Sequence, residues 1–173
     1  MTRRPRDSQR TAVYRWQYRA GIVEHGSEPQ LTLEECRGLA HRVWQEYPTG
    51  PRITARPTVV ASRTATSKRA GYWYARNQIT LPPWALQAGV VLHEVAHGIL
   101  ASWLDPRAVA AHGPRFVRVL AELAIAYMSR PPVVVVGALD RARCSTTHKL
   151  TFLPARQSVK CAALMAMPWR QLS

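Results

Sequence analysis

The hydrophobic pattern changes period several times along the chain, and each change marks an element. Residues 31–48, LTLEECRGLAHRVWQEYP, carry Leu33, Cys36, Ala40, Val43, Trp44 and Tyr47 at helical spacing. Thr32 and Glu35 form a capping box, in which each side chain satisfies the other residue's backbone N–H. Pro48 and Gly50 stop this helix. From residue 52 to residue 81 the texture shifts to β-branched and aromatic residues with polar linkers. ITARPTVVAS and GYWYARNQITL predict two or three strands, with one turn around ATSKRAG and another near Arg76 and Asn77. Pro82 and Pro83 end the last strand.

Residues 84–105, WALQAGVVLHEVAHGILASWLD, read as a helix that is apolar on nearly every side, closed by Asp105 and Pro106. Such a helix belongs at the centre of a fold. After the loop PRAVAAHG, Pro114 suits a first helical position. RFVRVLAELAIAYM then places Phe116, Leu120, Leu123 and Tyr127 on one face. Beyond Pro131 and Pro132, VVVV has the composition of a strand. Residues 1–30 read as a basic, partly helical lead-in that ends at the turn-prone HGSEPQ. Residues 137–173 show weak periodicity. The expected organisation is a basic arm over 1–30, a domain over 31–130 and a C-terminal extension of unassigned structure over 131–173. The fold class is α+β: a small, mostly antiparallel sheet packed on the central helix and the helix after it.

Composition narrows the setting. A chain of 173 residues, 47% hydrophobic, can bury one core and is not disordered by composition. Cys36, Cys144 and Cys161 form no CxxC pair, which argues against a disulfide framework or a zinc ribbon and for a reducing, cytoplasmic setting. The arginine-rich start leads into no long apolar stretch, so it is not a secretory signal. The longest β-branched run, residues 133–136, is too short to span a membrane. The net charge is +14 and unevenly spread. No acidic residue lies between Tyr47 and His93, and none in 141–173, while residues 2–19 set six arginines against Asp7. That is an electrostatic footprint suited to DNA or RNA, through the arm and the strand region. Arginine supplies 21 of the 24 basic residues, however, as a GC-rich genome would also produce.

The chemistry sits in the central helix. Burying an unpaired imidazole or carboxylate costs about 2–7 kcal/mol, so HEVAH inside an apolar run needs an offset. His93 and His97 stand at i and i+4, one above the other on a helix, and can share one zinc ion. Glu94 points about 100° away and can take a proton from a water activated by the metal. A catalytic zinc needs a third protein ligand and an open fourth position. Leu100 and Trp103 stand where the extended H-E-x-x-H-x-x-G-x-x-H pattern needs glycine and histidine. Asp105, His112 and Glu122 remain downstream. Asp105 reads as a helix stop. Glu122 shares a face with Arg115 and Arg118, the mark of a solvated charged face. His112, before Gly113 and Pro114, sits on a turn that can swing it to the metal, and it is favoured. His25, His41 and His148 carry no spacing signal.

HEVAH followed by HGPRF resembles the SprT-like branch of zinc metallopeptidases. RDSQRTAVYRWQ, ITLPPWA and HGPRFVRVLAEL are similar to short metallohydrolases of actinobacteria and their phages. The resemblance covers about residues 6–128. It implies a minimal zincin-like domain, Zn²⁺ on His93, His97 and His112, and Glu94 as general base. A C-terminal four-cysteine zinc ribbon, found in some SprT-like proteins, cannot form here, because that region has only Cys144 and Cys161. The expected activity is hydrolysis of a protein or peptide, DNA-associated proteins included, with the substrate strand pairing along the NQITL edge. Tyr72, Tyr74 and Arg76 are oxyanion-stabilising candidates by proximity in sequence, with strand packing as the plainer role for each. The rival expectations are a nucleic-acid-binding protein with a structural zinc and a catalytically idle scaffold.

Overall fold

The computed structural model describes residues 7–23, 31–62 and 69–144. Its elements run α1 (Arg10–Arg19), α2 (Leu33–Glu46), β1 (Thr58–Ala61), β2 (Gly71–Trp73), β3 (Gln78–Leu81), α3 (Ala88–Trp103), α4 (Pro114–Met128) and α5 (Pro132–Ala142). Single 3₁₀ turns at Tyr74–Arg76 and Pro83–Ala85 flank β3. The class is α+β, as expected. Among the described residues no helix is long and apolar enough to cross a membrane.

The sheet departs from expectation. Its order is β1-β3-β2, with β1 parallel and β2 antiparallel to β3, so it is mixed rather than mostly antiparallel. NQITL is the central strand, not an edge. The edge that packs on α3 is β2. The turn at Asn77 forms as expected: its φ of 44° is left-handed, which asparagine tolerates. Its side chain ties the sheet together. Asn77 Nδ2 donates to the Ala55 carbonyl at 2.7 Å, and Oδ1 accepts from the Tyr72 hydroxyl at 2.6 Å. Most of the turn expected around ATSKRAG lies outside the described residues.

Helix α2 starts at the predicted capping box. Glu35 N–H donates to Thr32 Oγ1 at 3.2 Å, and Thr32 N–H donates to Glu35 Oε2 at 2.7 Å. Helix α3 begins at Ala88, four residues later than its apolar run, because the Pro83–Ala85 turn uses up the start. From Gly89 through Ser102 every residue of α3 is buried, which makes it the central rod the pattern demanded. Ser102, polar at the end of that rod, is satisfied twice. Its hydroxyl donates to the Ile99 carbonyl at 2.6 Å and accepts from Gly50 N–H at 2.7 Å. Helix α4 opens at Pro114, packs on α3 and buries Phe116, Val117, Leu120 and Leu123 in the core.

The two ends of the described chain meet. VVVV is not a strand: it lies in α5, where Val135, Ala138, Leu139 and Ala142 make one buried stripe at helical spacing. Pro132 at the helix start and packing on α1 and α4 override the strand propensity of valine. Helix α1, inside the span expected to be a basic arm, buries Val13 and Trp16 completely in the same core. Trp16 Nε1–H donates to the Val135 carbonyl at 3.0 Å, and Arg19 hydrogen-bonds the Arg141 carbonyl.

Candidate metal centre

Three imidazoles converge at the junction of α3 and α4. His93 and His97 project from one face of α3, and the loop before α4 brings His112 to them. Their Nε2 atoms face inward: His93 to His97 at 3.2 Å, and His93 to His112 at 3.3 Å. One ligand atom from each can lie within 4.8 Å of the others, a spacing able to hold a metal ion. Phe116, one turn into α4, is their floor, with ring centroids 4.9, 4.4 and 5.0 Å from His93, His97 and His112. All three histidines are buried. Burial, then the neighbours His97, His112 and Arg10, hold His93 well below the usual histidine range. Burial and His112 push His97 down to about 3. Burial also lowers His112, against an opposing pull from Asp7. Imidazoles kept neutral in this way present lone pairs, the form that ligates a metal.

Glu94 lies on the adjacent face and is buried too. Burial pushes its carboxyl up to about 8, against a lowering hydrogen bond from the Tyr72 backbone. Tyr72 belongs to β2, so the edge strand reaches the carboxylate. A cavity of about 660 Å³ extends from that edge towards the end of α3, lined by Arg52, Tyr72, Trp73, Tyr74, Ala101 and Arg107 among others.

No family model matches the chain, and no curated protein or solved structure does. The site therefore stands on its own geometry.

Of the downstream carboxylates weighed as a third ligand, neither is in the cluster. Asp105 accepts from Arg107 N–H at 2.9 Å, consistent with a helix stop. Glu122 pairs with Arg118 at 3.0 Å as the i, i+4 spacing implied, but it is half-buried rather than solvated, because Tyr47 donates to it as well. His41 contacts the Pro57 carbonyl at 3.2 Å, and His25 and His148 lie outside the described residues. The Tyr72 hydroxyl is engaged by Asn77, and Tyr74 packs edge-on against the Tyr72 ring, so both serve the sheet. Arg76 is exposed at the end of its turn.

Helix α1 and the residues just before it supply the contacts that sequence reasoning missed. Asp7 Oδ2 lies 2.7 Å from His112 Nδ1, and Asp7 Oδ1 accepts from His112 N–H at 3.2 Å. Gln17 Nε2 lies 2.7 Å from His93 Nδ1. Tyr14 stacks on His93 at 5.8 Å and tilts over His112 at 5.6 Å, with the Arg10 guanidinium 5.7 Å from its own ring. Tyr14 remains 39% exposed, which places it at the solvent boundary of the cluster. One signal was available: Val13, Trp16 and Ala20 repeat at helical spacing, leaving Arg10, Tyr14 and Gln17 on a neighbouring stripe.

Proposed function

We propose that this chain is a zinc-dependent metallopeptidase of the SprT-like, zincin-like kind. The observation that carries the reading is the convergence of three neutral imidazole Nε2 atoms beside a buried glutamate one residue along the same helix. The donor set fits the ion: three nitrogen ligands leave a fourth position for water, the pattern of a catalytic rather than a structural zinc. His93, His97 and His112 would hold a divalent ion, which would supply Lewis-acid polarisation of a carbonyl and a water of pKa about 7.

The remaining work falls to the protein's own groups. Glu94, drawn towards its carboxylate form by a nearby cation, accepts the proton of the attacking water and delivers it to the leaving amine. Strand β2 is the edge against which an extended peptide lies, since its Tyr72 backbone already reaches Glu94. The +14 charge of the chain suits substrates that are themselves bound to nucleic acid.

Glu94→Gln tests this reading. The variant should bind zinc with unchanged stoichiometry and lose at least about a hundredfold of the peptide cleavage seen with wild type. Equal turnover by the two proteins would remove Glu94 as the general base, and zinc binding without any cleavage by wild type across a diverse peptide library would leave the site structural.

A further inference from the structure

We propose that Asp7 and Gln17 are positioning residues for the metal, each fixing the hydrogen on the outer nitrogen of one histidine so that its Nε2 lone pair faces the ion. This rests on the metal reading above. An imidazole that binds through Nε2 carries its hydrogen on Nδ1 and must donate it. Asp7 is set to receive that hydrogen from His112, with Oδ2 at 2.7 Å, while Oδ1 takes the His112 backbone N–H. Both oxygens act as acceptors, so a carboxylate fits and an amide does not. An asparagine would turn a donor towards one of two N–H groups.

Gln17 makes the counterpart contact with His93. As it stands, its Nε2 lies 2.7 Å from His93 Nδ1, an arrangement that leaves the ring hydrogen on His93 Nε2, inside the cluster. The inner hydrogen must leave when an ion binds. The ring then donates from Nδ1, and the Gln17 amide turns over to offer its oxygen. The amide oxygen and nitrogen are nearly equal in size, so the turn needs no backbone movement. Gln17 is 3% exposed, so the exchange occurs in a dry contact where a mismatched pair is costly. Both residues come from the N-terminal segment, 105 and 76 positions from the histidines they hold. The three histidines, two on α3 and one in the loop before α4, are therefore completed by a segment that contributes no ligand of its own.

The test is zinc affinity, by competition with a chromophoric chelator, together with the histidine tautomers read from long-range ¹⁵N–¹H spectra. Asp7→Asn and Gln17→Met should each weaken zinc about 10- to 100-fold. Gln17→Glu, which restores an acceptor, should bind zinc at least as tightly as wild type even though it adds a buried charge to the zinc-free protein. Wild-type spectra should show His93 changing from the Nε2–H to the Nδ1–H form on loading. A merely structural role predicts instead that affinity follows the zinc-free melting temperature, with Gln17→Glu the worst of the set. That result, or unchanged affinity in Asp7→Asn and Gln17→Met, overturns the proposal. Should Asp7→Asn fail to fold, the two Gln17 variants decide it alone. A wild type that binds no zinc would remove the metal reading itself, an outcome distinct from all of these.

Discussion

Glu94 shows what one buried group does to the whole fold. Its carboxyl is pushed up to about 8 from an ordinary 4.5. Below pH 4.5 it is protonated in both the folded and the unfolded chain, and its ionisation contributes nothing. Between 4.5 and 8 the unfolded chain releases the proton while the folded chain keeps it. Glu94 therefore destabilises the zinc-free fold progressively as pH rises through that window, and the loss levels off above 8. Glu94→Gln removes the liability. Zinc-free Glu94→Gln should be more stable than zinc-free wild type by about 4 kcal/mol near pH 7.5, the gap closing towards pH 4.5. Zinc should narrow it, because a cation favours the carboxylate. Denaturant titrations at several pH values read this directly, and a gap independent of pH would mean that Glu94 ionises freely. At this scale His93, Glu94 and His97 were legible because their meaning lies in a spacing of four residues. His112 was legible because Gly113 and Pro114 announce a turn into a helix. Asp7 and Gln17 were not, since a contact across 105 or 76 positions leaves no local trace.

Elements carry meaning through what they pack against. The capping box of α2 and the all-round apolarity of α3 were readable because each is decided within its own segment. VVVV was misread because β-branching favours a strand only where a sheet is present to receive it. Here Val133 and Val134 face outward, and Val135 enters a helical stripe. Strand order was equally hidden: β2 precedes β3 in the chain yet stands at the edge, with β1 on the far side of β3. Glycines show how closely the elements meet. A Cβ on Gly89, in the first turn of α3, would lie 1.7 Å from the Ile22 carbonyl oxygen, a backbone atom with no rotamer by which to yield. Gly89→Ala should cost at least about 1–3 kcal/mol, and it should weaken zinc by shifting the segment that carries Gln17. Gly38→Ala, in α2 with nothing within 4 Å of the added carbon, should instead stabilise by up to about 1 kcal/mol. Thermal melts of the two variants should move in opposite directions. If Gly89→Ala melts with wild type, the close approach of α1's exit to α3 is wrong.

In the whole molecule, the histidine cluster depends on the far end of the described chain. The basic composition of residues 1–30, the strand-like VVVV and the weak periodicity of residues 137–173 made both ends look like appendages. Yet α1 and α5 bury each other and complete one core with α3 and α4. The signal was diluted because each of these helices spends one narrow stripe on the core and presents charge or valine elsewhere. Ending the chain after Arg130 removes Val135, Ala138 and Leu139 from the face of α1 and takes the acceptor from Trp16 Nε1–H. Returning a side chain the size of Trp16 to water costs about 4–6 kcal/mol at 25 cal/mol per Å². That is comparable with the total stability of a small domain, so α1 should detach or the domain should unfold. Either way Asp7 and Gln17 leave the histidines. Residues 1–130 include His93, His97, His112 and Glu94, but should bind zinc at least about tenfold more weakly than the full chain and melt at a lower temperature. Chelator competition and circular dichroism on the two lengths check this. Equal zinc affinity in the shortened chain would mean that α3 and α4 make the site unaided, and that the ends of the chain serve some other purpose.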